Sequence, residues 1–154
     1  MSTPQDAGPA CAIRAHAAPG GQVRLHARNH SLVAEGQTSY APRAEHPSAL
    51  DYLLAALASD LVLGLGREAV RAGVTLDDIE LNVTAHLDNP LVALGVVGET
   101  GSARVAVVRG SLYVSADLTE AALCDLWTRV LAKATVHATL AACITFDIAL
   151  KLVP

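Results

Sequence analysis

The apolar run LDYLLAALASDLVLGL, residues 50–65, carries one acid near its middle, Asp60. A buried helix normally excludes a lone carboxylate, because loss of water penalises the charge unless a cation or hydrogen-bond donors replace that water. Asp60 could therefore be part of an ion pair, a general base, or an anchor for a polar ligand in a pocket. It could also stand on a partly solvated wall and do nothing. Asp51 lies nine residues earlier, roughly 13 Å along a helix, too far to form a paired-carboxylate site with it. The three cysteines, Cys11, Cys124 and Cys143, cannot all pair within one chain. Cys124 and Cys143 read as core filling, since free cysteine is commonly buried, and Cys11 falls in a loose N-terminal region. His26 and His30 are four apart but lie in a β-type pattern, where that spacing does not gather both on one small site, and no acid or cysteine completes a set. No metal or other cofactor is expected. Ser59, Ser111 and Ser115 lack the G-x-S-x-G elbow of a hydrolase.

The elements that would position these groups follow from period and punctuation. Residues 1–10 are small, polar and Pro-bearing and read as a frayed tail, leaving 11–154 as a single domain. Val23, Leu25 and Ala27 alternate, followed by Leu32 and Val33, which predicts two short strands with Asn29 at the turn. The turn-rich QTSYAPRAEHP then leads into a long helix that opens at Ser48, with Asp51 in its first turn, and closes at Gly73 after Arg71. Leu50, Leu53, Leu54, Leu57, Leu61 and Leu65 form its stripe. Ala55, Ala56, Ala58 and Val62 make the other faces apolar as well, so its first half should be surrounded by protein. Gly64 and Gly66 suggest close packing or a bend. Ile79, Leu81, Val83 and Ala85 alternate against Glu80, Asn82, Thr84 and His86, a strand with one wet face. One strand or two short ones follow around Arg109 and Gly110. A second helix runs from near Leu118 through TEAALCDLWTRVLAKA, with Leu123, Leu126, Trp127, Val130 and Leu131 on one face. A last strand carries Ile144, Phe146 and Ile148. The order is that of an α+β protein, not a βαβ array. The GLGREA segment at 64–69 sits in a helix, so it is no dinucleotide turn.

Composition narrows the partners. The chain has 154 residues, 52% of them hydrophobic but only 3% aromatic, so Ala, Val and Leu must fill the interior, which favours closure by a second subunit. A net charge of −4 with 11 scattered basic residues leaves no footprint for nucleic acid. The apolar run is broken by Asp51 and Asp60 and followed by Arg67, Glu68 and Arg71, so it reads as a buried helix short of the roughly 20 residues of a membrane span. The N-terminus lacks a secretory pattern, and a reduced cytoplasm is the expected compartment.

Two segments, HPSALDYLLAALASD at 46–60 and KATVHATL at 133–140, resemble the signature segments of the OsmC and Ohr family of osmotically inducible and organic-hydroperoxide-resistance proteins. Asp51 matches the family acid, and Leu53, Leu54, Ala56, Leu57 and Ala58 match its helix. Lys133, Val136, His137, Thr139 and Leu140 match the second segment. The resemblance implies an intertwined homodimer with long central helices packed on antiparallel or mixed sheets and sites at the subunit interface. In active members a helix cysteine is oxidised by an organic hydroperoxide to a sulfenic acid, and a second cysteine condenses with it. Here Asp60 stands at the first cysteine position and Ala134 at the second, with Thr135 where proline is usual. The same resemblance implies an arginine from the N-terminal strands facing Asp60, with Arg28, Arg24 or Arg14 as candidates. The reading is a degenerate site that has lost its peroxidase route and binds a small apolar molecule, in a pocket around Leu53, Leu57, Asp60, Gly64 and Thr135. The rival is an enzyme, using either another thiol for hydroperoxide reduction or Asp60 and His137 for acid–base chemistry.

Overall fold

The computed structural model describes residues 11–36 and 44–153; the expected tail at 1–10 and most of the 37–47 connection lie outside the described residues. The chain divides into two compact units, residues 1–51 and 52–154.

In the first unit β1 (Arg14–Ala18), β2 (Gln22–Ala27) and β3 (His30–Glu35) form an antiparallel sheet in that order. The two strands expected from alternation are β2 and β3. Strand β1, RAHAA, escapes a hydrophobic pattern search because it is almost wholly exposed. Arg28 sits in the β2–β3 turn with φ 53°.

Helix α1 (Ala49–Ala72) begins in the first unit and runs through the second. Ser48 and Asp51 close a reciprocal cap: the Asp51 N–H donates to Ser48 Oγ at 3.1 Å, while the Ser48 N–H and hydroxyl each donate to Asp51 Oδ2 at 2.8 Å. At the far end Gly73, at φ 69°, donates to the Val70 carbonyl and Val74 to the Ala69 carbonyl, a Schellman closure that only a left-handed residue permits. The helix has the length and composition to cross a bilayer, its best window reaching a mean hydropathy of 1.6. The expectation that it falls short of a span is thus corrected. One face of it is fastened to the rest of the second unit through Leu57, Leu61 and Leu65, with Asp60 and Glu68 bonded to residues 133–137.

In the second unit β4 (Asp78–Leu87) pairs antiparallel with β5 (Val105–Ser115), and β5 pairs parallel with β6 (Thr145–Val153). Every second residue of β4 turns inward from Ile79 to Leu87, as the alternation requires. The Gly-rich link between β4 and β5 holds the single-turn helix α2 (Pro90–Ala93), capped by Asn89. β5 is one continuous strand. A parallel pair needs a crossover, and two helices supply it: α3 (Glu120–Leu131), capped by Thr119, and α4 (Thr135–Leu140). The predicted second helix therefore stops at Leu131, and Ala134, in extended backbone at ψ 107°, separates it from α4. Leu57, Leu61 and Leu65 of α1 pack with Val108, Leu112 and Val114 of β5 and Leu123, Leu126, Trp127 and Val130 of α3. Each such leucine contributes roughly 2 kcal/mol on burial. Gly64 lets α1 and α3 close up: a Cβ there would sit 3.0 Å from Val130 Cγ1. α1 runs through Gly64 and Gly66 as one helix, so the glycines serve contact, not a break.

Two expectations fail here. Cys124 and Cys143 are exposed, as is Cys11, instead of filling the core. Cys124 lies on the outer side of α3, whose inward positions are taken by Leu123, Leu126, Trp127 and Val130, and Cys143 lies in the turn before β6. Nor is the first half of α1 covered within one chain: Ala55 and Ala56 are exposed, and further on Leu63 and Val70 are 63% and 78% exposed.

Candidate functional site

The site is built on α4, six residues long and preceded by Ala134, whose methyl group cannot accept a hydrogen bond. The first amides of any helix lack partners in their own turn. Asp60 supplies one from α1: its Oδ2 accepts from the Val136 N–H at 2.8 Å and the His137 N–H at 3.3 Å. A carboxylate from a distant helix thus does what an Asp or Ser at position 134 would do locally. This role escapes sequence reading, because the two segments are 76 residues apart and only the fold joins them.

His137 follows directly. Its ring packs on Phe146 with centroids 4.7 Å apart, and its Nδ1 is buried without a hydrogen-bond partner among the described residues. Burial pushes its pKa below the ordinary 6.5, and the Asp60 charge offsets part of that fall. Asp60 meets the His137 backbone, so no hydrogen bond between carboxylate and ring links them as an acid–base pair.

One helical step beyond Gly64, Glu68 is buried, 5% exposed, and faces three cations. Lys133 Nζ lies 2.8 Å and Arg71 Nη1 2.6 Å from Oε1, with Arg129 Nε 3.9 Å from Oε2. The Lys133 hydrogen bond, supported by Arg71, holds the Glu68 pKa below 4.5 against the opposing effect of burial. Beside it is a cavity of about 310 Å³ lined by Gly64, Arg67, Glu68, Arg71, Val130, Lys133 and Ala134. Gly64 and Ala134 thus share a cavity, but one ringed by charge, unlike the apolar pocket expected. Leu57 is fully buried in the core, Leu53 is partly buried, and Thr135 is exposed at the start of α4. Arg67, Glu68 and Arg71 are visible in sequence as a charged stretch; their convergence with Arg129 and Lys133 is not. In the first unit Asp51 is engaged by Ser48, and Arg14, Arg24 and Arg28 are exposed on β1, on β2 and in the β2–β3 turn.

These features define an α+β protein whose last parallel strand is reached through a carboxylate-anchored helical crossover. The sequence pattern described as OsmC-like protein matches residues 42–149, and the chain belongs to that family. An OsmC-like protein from Mycoplasma pneumoniae superposes with a TM-score of 0.79 at 16% identity, covering 95% of this chain and 99% of that one. The organic hydroperoxide resistance protein OhrB of Bacillus subtilis gives 0.58 at 14% identity, covering 92% and 98%. An organic hydroperoxide resistance protein OsmC from Legionella pneumophila gives 0.65 at 10%, covering 93% and 97%. At such identities the likeness concerns the fold. Comparison with curated proteins gives no match.

Proposed function

We propose that this protein is an OsmC-like homodimer that does not run a two-cysteine peroxidase cycle and serves instead as a small-molecule-binding or regulatory protein. The observation that carries the reading is the Asp60 carboxylate bonded to the amides of Val136 and His137, with Ala134 just ahead of them. Reduction of an O–O bond by the family route needs a thiolate that gives up two electrons to become a sulfenic acid, and a second thiol that condenses with it. A carboxylate lacks that chemistry, and the Ala134 methyl has nothing to condense. Acid–base chemistry by Asp60 and His137 gains little support, because Asp60 is committed to backbone donors and the ring lies against Phe146.

A second copy of the chain is the natural cover for α1, whose face around Val62, Leu63, Gly66 and Val70 borders an open apolar depression of about 660 Å³. Exposed cysteines outside any disulfide suit a reducing compartment such as the cytoplasm.

The test is to incubate the protein with cumene hydroperoxide and a dithiol, following peroxide loss and thiol oxidation by intact mass. No turnover is expected. Turnover that disappears in a cysteine-free variant would overturn the reading. Asp60→Cys combined with Ala134→Cys should bring peroxidase activity into the same scaffold, and a folded but inert double variant counts against the assigned positions.

A further inference from the structure

We infer that the basic cavity beside Glu68 is a binding site for a phosphate monoester or a similar small dianion. The inference deepens the ligand-binding reading by naming the ligand's chemistry. Three cationic side chains, Arg67, Arg71 and Lys133, line the cavity with one carboxylate, Glu68, which Arg129 also approaches. Arg67 lines the cavity yet makes no ion pair with a carboxylate among the described residues. The lining therefore carries two positive charges in excess, three against one.

Glu68 accounts for their arrangement but not for their number. Its two oxygens are met by Arg71 and Lys133 on one side and approached by Arg129 on the other. Arg71 bonds it through one nitrogen and Lys133 through one of three N–H groups, so most donors of the cluster remain for another acceptor. A planar guanidinium matches two oxygens of a phosphate at once, and a lysine adds a point charge. A dianion would balance the lining, whereas a monocarboxylate would leave one positive charge in excess. Gly64 and Ala134 add no long side chain to the lining. A volume of about 310 Å³ lies at the lower end of the range for small-molecule pockets and leaves space beyond the phosphate for a compact organic group. Val130 offers that group an apolar contact.

The experiment is calorimetric titration of the full-length protein with inorganic phosphate and with phenyl phosphate, alongside acetate and sodium chloride at matched ionic strength. Saturable binding of both phosphates with one site per chain is expected, with acetate clearly weaker. Arg67→Gln removes a cation that no carboxylate in the cluster holds, so the thermal midpoint without ligand should not move, while phosphate affinity should fall about tenfold or more. Lys133→Gln should weaken binding as well. Absence of saturable phosphate binding, acetate binding as tightly as phosphate, or an unchanged affinity in Arg67→Gln would each overturn the assignment. The hydroperoxide assay reads Asp60 and Ala134 independently, so a failed titration and a failed peroxidase reading are told apart.

Discussion

Two carboxylates of α1, Asp60 and Glu68, stand two helical turns apart and hold the same short segment by different means. Asp60 takes backbone amides of Val136 and His137, donors fixed by the start of α4. Glu68 takes Lys133, Arg71 and Arg129, long side chains that are 48% to 62% exposed. The first arrangement is set by chain geometry and leaves no room for exchange. The second is held at one end only, and the free ends of its cations can turn to a ligand or to salt. The difference lies in what each acid leaves free: Asp60 is taken up by backbone donors, whereas the cations around Glu68 keep donors directed elsewhere.

Substitutions can break that contrast. The largest effect is expected from Gly64→Val, which lies between the two acids: branched carbons against Val130 would push α1 from α3 and loosen both anchors, lowering stability in urea by about 1–3 kcal/mol. Asp60→Ala should follow, with a loss of about 1–2 kcal/mol as two amides at the start of α4 lose their acceptor. Asp60→Asn, which keeps one carbonyl oxygen, should lose less, and equal losses in the two variants would refute the capping role. Glu68→Gln should lower the midpoint by a smaller amount that shrinks in high salt, whereas the Asp60→Ala loss should persist there. Because the Glu68 pKa is lowered on folding, its contribution is present above 4.5 and is lost as pH falls through the folded value, so the gap between wild type and Glu68→Gln should close on acidification. The smallest effect belongs to His137. Its folded pKa lies below 6.5, so the unfolded chain takes up a proton first, and stability present above 6.5 declines as pH falls towards the folded value. His137→Phe should flatten that part of the pH profile of the urea midpoint, and an unchanged profile would remove the histidine from the account.

Local signals made much of the fold legible. The Ser48 and Asp51 pair and Gly73 mark the ends of α1, and strict alternation marks β4, because each is a matter of neighbours in the chain. The family resemblance carried by residues 46–60 and 133–140 is borne out by the match of residues 42–149 to the OsmC-like pattern. What sequence could not give is what long-range packing decides. A helical period ran on past Leu131, since nothing local to Lys133 and Ala134 announces the break, and the amides it frees are satisfied by an acid from another helix. Residue type alone places Cys124 and Cys143 in the interior, whereas leucine, valine and tryptophan fill the inner face of α3 without Cys124, and Cys143 lies in the exposed turn before β6. The charge around the cavity is legible in sequence only as scattered single residues, because Arg67, Glu68 and Arg71 of α1 meet Lys133 only through the fold.

The parallel pairing of β6 with β5 has a consequence for how the molecule is made. While the ribosome is still adding residues before Lys133, α1 has neither of the partners in 133–137 that its acids will hold, and β5 has only β4 beside it. The closing step therefore waits for the crossover and the final strand to arrive together. Until then the nascent chain presents an apolar helix and an unpaired strand edge, the surfaces that a chaperone recognises.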